Sequence, residues 1–177
     1  MVYDHSVEAL FARALRSRMP EACVRELREA GLDLSKPLRP QYPEAEYELH
    51  IRIARRHLFP DLADPEAYRS MGRLFVSGYL ETTIGAALKV LLRMLGPERN
   101  LARMPGYFEA GTSYVRASGE RHGPGDWTLR VSDVAGFPTF TQGSLEETLR
   151  LSGARDASVE IERQPDNSVR YRIRWAP

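Results

Sequence analysis

The sequence has few of the residues from which covalent and metal cross-links are built. It contains one cysteine, Cys23, so an internal disulfide is impossible and a cysteine-rich zinc site is excluded. Cys23 occupies an apolar helical position within PEACVRELREAGL, which predicts a buried thiol that behaves as a small hydrophobe. The chain has 177 residues, enough to bury a core without such cross-links.

Long apolar runs and a charge of one sign are also missing. No uncharged apolar stretch approaches ~18 residues, and charges interrupt the N-terminal VYDHSVEALFARALRSR, so we expect neither a membrane span nor a signal peptide. The formal net charge is +1, so no overall field favours nucleic acid, a membrane surface or an acidic substrate. We therefore expect a cytoplasmic protein.

The motifs of common chemistries are absent too. The histidines lie far apart in sequence, at His5, His50, His57 and His122, and none sits in a metal-binding frame such as HExxH. There is no GxSxG elbow, no P-loop and no GxGxxG turn between a strand and a helix. We therefore expect no metal, no cofactor and no enzymatic activity.

The spacing of the apolar residues divides the chain into a helical part and a strand part. We predict one domain, 1–177, made of a helical extension (1–40), a helical region (41–106) and a hairpin–helix–hairpin unit (107–177). The longest helical pattern runs over 64–95. Gly78 and Gly85 lie one heptad apart on its apolar stripe, so either another backbone passes close there or the helix breaks.

The strand part shows a period of two. Trp127, Leu129 and Val131 alternate with polar residues in a first hairpin whose loop is SGERHGPGD. The second hairpin pairs SVEIE with VRYRIRW across the turn QPDNS. Such alternation indicates a sheet with one dry and one wet face. The predicted class is α+β, with N-terminal helices packed on one face of a four-stranded antiparallel sheet.

The stretch GFPTFTQGSLEETL joins the two hairpins. A glycine-rich turn that opens a helix is typical of a phosphate cradle or of a corner between a strand and a helix. Ser144 and Glu147 match a capping box, which predicts a helix over 145–151 whose first N–H groups are already occupied. This pattern favours the corner.

A row of arginines, Arg170, Arg172 and Arg174, projects from one face of the last strand. Three interpretations are open: a solvated face paired with Glu160 and Glu162, a protein interaction face, or a nucleic-acid site. Sheets that bind RNA expose stacking aromatics, whereas the aromatics here alternate with the arginines and point to the dry side. The pattern favours the first interpretation, and we expect no nucleic acid.

The run FPTFTQGSLEETLRLSGARDASVEIERQPDNSVRYRIRW resembles the end of the heme-NO-binding/4-vinyl-reductase class of sensor domains. Over its whole length the chain resembles a myxobacterial paralogous family of unassigned function, through GYLETTIGAAL, LGPERNLARMPGYFEAGTSY and FPTFTQGSLEETL. The sensor class implies a helical proximal histidine and a Tyr-x-Ser-x-Arg signature. Here RLFVSGYLETTIG has no histidine and the chain reads YVRAS from Tyr114. The paired cysteines of the 4-vinyl-reductase branch are absent as well.

The resemblance implies a scaffold that holds apolar small molecules or pairs with proteins. We therefore expect a non-enzymatic sensor or adaptor that acts through a protein partner or self-association. The resemblance does not decide whether an apolar ligand controls this interaction. The alternative is a binding protein for a tetrapyrrole or lipid-like compound. A pocket is expected between the long helix and the dry sheet face, unless its candidate residues are only core: Phe75, Tyr79, Phe108, Trp127, Phe137 and Phe140.

Overall fold

The structure is a computed structural model that describes residues 1–132, 137–163 and 168–177. Its α-helices are α1 (Asp4–Val7), α2 (Glu21–Glu29), α3 (Glu44–Leu58), α4 (Asp64–Tyr79), α5 (Thr83–Ala102), α6 (Met104–Gly111) and α7 (Pro138–Leu151). Its strands are β1 (Val2–Tyr3), β2 (Gln41–Tyr42), β3 (Ala117–Gly123), β4 (Asp126–Val131), β5 (Arg155–Arg163) and β6 (Val169–Ala176).

The first helical segment is not one regular helix. After α1 the chain forms a π-helix, Glu8–Ala14, and then a 3₁₀ turn, Arg16–Arg18. The widened turn buries Ala9, Leu10 and Phe11 completely. It packs against α4 at Gly78, where an added Cβ would lie 2.1 Å from the carbonyl oxygen of Ala9. Gly78 therefore provides the close backbone approach that the sequence indicated.

The long helical pattern over 64–95 is broken. α4 ends at Tyr79, α5 begins at Thr83, and the two axes meet at 100°. Thr82 caps α5, since its Oγ1 accepts a hydrogen bond from the Gly85 N–H at 3.0 Å. An added Cβ at Gly85 would lie 1.7 Å from the carbonyl oxygen of Tyr79. Both alternatives are therefore realised, because Gly78 admits a neighbouring backbone and Gly85 admits the bend.

A second interruption lies within α5. Gly96 has a positive φ of 71°, and Pro97 follows it, so the helix kinks there. The buried amide of Asn100 satisfies carbonyls that the kink frees: its Nδ2 lies 2.7 Å from the Leu92 oxygen and 2.8 Å from the Gly96 oxygen. The segment of α5 before Gly96 is therefore bounded by a bend at one end and a kink at the other.

The four strands β3–β6 form an antiparallel sheet in the order β3-β4-β6-β5. Trp127 pairs with Ile173 and Ile161 pairs with Tyr171, so the dry faces of the two hairpins coincide. The first hairpin loop is shorter than predicted: SGERHG belongs to β3, and only Pro124 and Gly125 lie between the strands. The predicted turn at Pro165 and Asn167 lies outside the described residues.

α7 begins earlier than predicted. It covers Pro138–Leu151, with Pro138 at its first position, where a missing N–H costs nothing. Ser144 therefore lies in the helix interior, and its hydroxyl donates to backbone carbonyls, at 3.1 Å from the Gly72 oxygen. The predicted capping box and strand-to-helix corner over 138–144 were wrong.

α7 is the central layer of the molecule. It packs against β5 on one side and against α4 on the other, and α6 contacts β3. The expectation that the N-terminal helices pack on the sheet is thus confirmed in part: α6 contacts it directly, whereas α4 reaches it through α7. One buried cluster lies among the helices, around Phe11 and Met71, and a second covers the sheet around Leu129 and Tyr171.

Within the described ranges, no single helix is both long and apolar enough to cross a bilayer. α4 and α5 satisfy the criterion only when they are taken together across their 100° bend.

Candidate functional site

An apolar cavity of about 230 Å³ lies among the helices. α3, α4, α5, α6 and α7 all contribute to its wall, together with β1 and the segment that precedes β3. None of the described lining residues belongs to the four-stranded sheet. The predicted place of the pocket, against the dry sheet face, was therefore wrong, because α7 fills that position.

Five of the six predicted pocket residues surround this cavity: Phe75, Tyr79, Phe108, Phe137 and Phe140. Phe75 is at their centre, since its ring centroid lies 5.6 Å from that of Phe140 and 6.0 Å from that of Tyr79. Trp127 lies elsewhere. It is buried in the cluster on the sheet, and its Nε1 has no hydrogen-bond partner in the described part of the chain.

Sequence reasoning missed other lining residues, among them Tyr47, Tyr107 and Tyr114 and the α5 leucines Leu88 and Leu92. The signal was present for the leucines, which lie four apart on the apolar stripe of α5. No signal in the sequence assigned the tyrosines, because they come from three separate segments that only the tertiary fold brings together.

Most polar groups of the cavity wall either have a hydrogen-bond partner or carry no charge. The Thr148 hydroxyl donates to the Ser144 carbonyl oxygen at 2.8 Å, as is common for a hydroxyl within a helix. Burial, reinforced by the nearby Tyr114, raises the pKa of the Tyr47 phenol, and burial raises the pKa of Tyr79. These phenols therefore stay protonated at neutral pH.

Glu48 is the one carboxylate among the described lining residues. Its side chain is half-buried, and its Oε2 lies 3.4 Å from Nη2 of Arg52, one helical turn further along α3. The Arg52 guanidinium also lies over the Phe137 ring, 4.8 Å from its centroid. Arg52 itself is not part of the cavity wall.

The predicted arginine row is an ion-paired face of the sheet. Arg172 is the best anchored, with Nη2 2.6 Å from Asp126 Oδ2. Arg170 lies 3.6 Å from Glu162, and Arg174 lies 3.9 Å from Glu160. The arrangement agrees with the solvated, paired interpretation, and these residues lie apart from the cavity.

The histidines do not form a site. His50 is buried, with Nε2 2.9 Å from the Ala30 oxygen, and His57 contacts Glu26 at 2.8 Å. Among the residues that the structure describes, no three His, Cys, Asp or Glu side chains are placed to hold a metal ion.

The chain belongs to a family of proteins of unknown function. A family model described as "Protein of unknown function (DUF2378)" matches residues 1–176. A search of curated proteins found no match. The expected membership of a family of unknown function is thus confirmed, whereas the likeness to the 4-vinyl-reductase branch stays a prediction.

Solved structures of H-NOX proteins share the fold. The Fe(II) unliganded H-NOX protein from K. algicida is 13% identical, with a TM-score of 0.71 over 100% of this chain and 97% of its own. A mutant H-NOX from T. tengcongensis is 12% identical, with a TM-score of 0.66 over 100% of this chain and 98% of its own. The likeness to the heme-NO-binding class therefore extends beyond the last seventy residues to the whole chain.

The H-NOX fold raises the question of whether heme fits this cavity. A volume of about 230 Å³ lies below the ~300–1,000 Å³ of sites for drug-sized ligands, and a porphyrin is at least drug-sized. The described wall has no His and no Cys as an axial ligand, and no Arg or Lys to pair with porphyrin carboxylates. Tyrosines and Met104 alone do not compensate for these deficits, so the residues present do not fit heme.

Proposed function

Because the chain belongs to the DUF2378 family of unknown function and has the H-NOX fold, we propose that it is a heme-independent sensor domain for a small, largely apolar molecule. One observation carries the proposal, the cavity of about 230 Å³ with a wall of aromatic and aliphatic side chains. A cavity of ~150 Å³ lined by Leu, Ile and Phe stays dry and binds benzene, so a larger one of similar lining offers room for a ligand.

The position of α5 supports a sensing role rather than storage alone. Its inner side contributes Leu88 and Leu92 to the cavity wall, while Val90 and Met94 lie on its outer side and are exposed to solvent. The bend before Thr83 and the kink at Gly96 bound this segment. A ligand that moves the inner leucines would therefore change the apolar surface that α5 presents.

The output that we propose is a protein contact, made with a partner or with a second copy of the chain, in the cytoplasm. The protein is proposed to be non-enzymatic, since the lining residues that the structure describes do not pair a nucleophile with a base. The alternative is a protein that binds a lipid-like compound without making a protein contact in response. A tetrapyrrole ligand is disfavoured by the size and lining of the cavity.

The test is the melting temperature of the purified protein with benzene and related small apolar compounds, compared with the variant Leu92→Phe. The wild type is expected to melt at a higher temperature with at least one compound, because a ligand that binds only the folded state stabilises it. Leu92→Phe fills the cavity and should abolish the shift. A matched control, Val90→Phe on the outer side of α5, should retain it. Equal melting temperatures with and without every compound would contradict the proposal.

A further inference from the structure

The cavity wall is aromatic to an unusual degree. Eight rings contribute to it: Tyr47, Phe75, Tyr79, Tyr107, Phe108, Tyr114, Phe137 and Phe140. The face of each ring carries partial negative charge and the edge partial positive charge. Phe75 is tilted by 50° to Phe140 and by 49° to Tyr79, so these three rings do not stack as a flat layer.

The formal charge on the described lining residues is negative only. Among the described lining residues, Glu48 is the only one with a carboxylate, and there is no Lys, Arg or His. A buried anion without a paired cation is costly. An organic acid in this cavity would add a second negative charge beside Glu48 and the ring faces. The wall therefore disfavours acids, including fatty acids.

The edge of the cavity already binds a cation from the protein itself. The Arg52 guanidinium lies 4.8 Å from the centroid of Phe137, a lining ring, and 3.4 Å from the Glu48 carboxylate. A positive charge over a ring face beside a carboxylate is a favourable pairing. The other lining rings continue this aromatic surface into the cavity, and a cation bound there would share the Glu48 carboxylate with Arg52.

We propose that the ligand of the cavity is an organic cation, an alkylammonium ion with apolar substituents, held by the ring faces with Glu48 as its counter-charge. This inference rests on the proposed function, because it assumes that the cavity binds a small molecule. It adds the chemical class: aromatic cages recognise quaternary ammonium groups in just this way.

The experiment compares two probes of the same shape. Butyltrimethylammonium is the cation, and the hydrocarbon in which carbon replaces its nitrogen is the neutral match. Chemical shift changes in amide NMR spectra report the affinity for each. We expect the cation to bind about tenfold more tightly, the ratio that corresponds to a desolvated cation–π contact.

Two variants assign the effect to the carboxylate. Glu48→Gln should weaken binding of the cation about threefold, which leaves the part of the preference that the rings supply, and should not change binding of the hydrocarbon. Glu21→Gln, at an exposed position on α2 away from the cavity, should alter neither affinity. Circular dichroism of both variants establishes that the fold is intact.

The outcomes separate the two proposals. If the hydrocarbon binds as tightly as the cation, or if Glu48→Gln leaves the ratio unchanged, the cavity is a ligand site but the inference of a cation is wrong. If neither probe binds the folded protein while benzene still raises its melting temperature, the inference alone is overturned; if benzene fails as well, the proposed function is overturned with it.

Discussion

Gly72 of α4 and Gly143 of α7 lie at one helix crossing where the two backbones touch. An added Cβ at Gly72 would lie 1.9 Å from the Phe140 carbonyl oxygen, and one at Gly143 would lie 1.9 Å from the Arg69 carbonyl oxygen. The close approach brings the helical cluster and the sheet cluster together through α7. It also sets the distance between Phe75 of α4 and Phe140 of α7, which both line the cavity.

Replacing either glycine by alanine should therefore destabilise the fold. A Cβ at less than 2 Å from a backbone oxygen has no flexible side chain to displace, so the helices must separate. We expect Gly72→Ala and Gly143→Ala to lower the free energy of unfolding by about 1–3 kcal/mol, as is usual for overpacked sites. Urea denaturation followed by circular dichroism measures this loss.

Gly106 of α6 provides the matched control. An added Cβ there meets no atom within 4 Å, and Gly106→Ala should be neutral or stabilise by up to about 1 kcal/mol, since alanine favours the helix. Equal stability of the three variants would contradict the account of the crossing.

Two neighbouring arginines of β6 should differ in their contribution to stability. The Arg172 side chain is 23% exposed and lies 2.6 Å from Asp126, whereas the Arg174 side chain is 54% exposed with its nearest carboxylate at 3.9 Å. We expect Arg172→Ser to cost about 1–2 kcal/mol, because it leaves the partly buried Asp126 with only the longer contact to Arg174, at 4.0 Å. Arg174→Ser should cost about 0–1 kcal/mol, as exposed ion pairs contribute little. Denaturation of each variant tests the difference, which a larger loss at Arg174 would refute.

The Cys23 thiol should be inert in the native protein. Burial raises its pKa to about 11, the Glu26 carboxylate adds to this shift, and Arg56 opposes it. Below its ordinary pKa of about 9 the thiol is protonated whether the chain is folded or unfolded. Above it only the unfolded chain ionises, so folding loses stability between about pH 9 and pH 11.

Alkylation with iodoacetamide checks the state of this thiol. At pH 8 the native protein should react slowly, and the protein in urea should react at the rate of a free cysteine, because only the thiolate is nucleophilic. Equal rates with and without urea would show that Cys23 is accessible and ionised in the fold.

Hemin should not form a defined complex with this chain. The described cavity wall lacks His, Cys, Arg and Lys, and the volume is about 230 Å³. Titration of hemin into the purified protein, with a heme-loaded H-NOX protein as the positive reference, should give no saturable change in the Soret band. A one-to-one complex with a sharp Soret band would contradict the conclusion that this cavity does not fit heme.

The strand half of the fold was predictable because its signal is local. The alternation of Val169, Tyr171, Ile173 and Trp175 fixes which face is dry, and the structure buries all four. The start of α7 was missed because Ser144 and Glu147 imitate a capping box within an existing helix. The Ser144 hydroxyl contacts the Phe140 carbonyl within α7 and the Gly72 carbonyl of α4, and the second contact joins residues far apart in sequence.

The cavity was only partly predictable for the same reason. Phenylalanines such as Phe75 and Phe140 were candidates because large aromatics concentrate in cores and sites. The exclusion of Trp127 depends on α7 lying between the sheet and the other helices, which no local pattern encodes. The negative character of the wall emerges only when Glu48 and rings from separate segments are brought together.

The central claim is that the space among the helices is a binding cavity, and xenon tests it most directly. Xenon occupies dry apolar cavities without needing a specific polar contact. The account predicts a saturable change in the ¹²⁹Xe chemical shift with the wild-type protein, lost in Leu92→Phe and retained in Val90→Phe. A ¹²⁹Xe shift that rises only linearly with protein concentration, and equally for all three proteins, would contradict it.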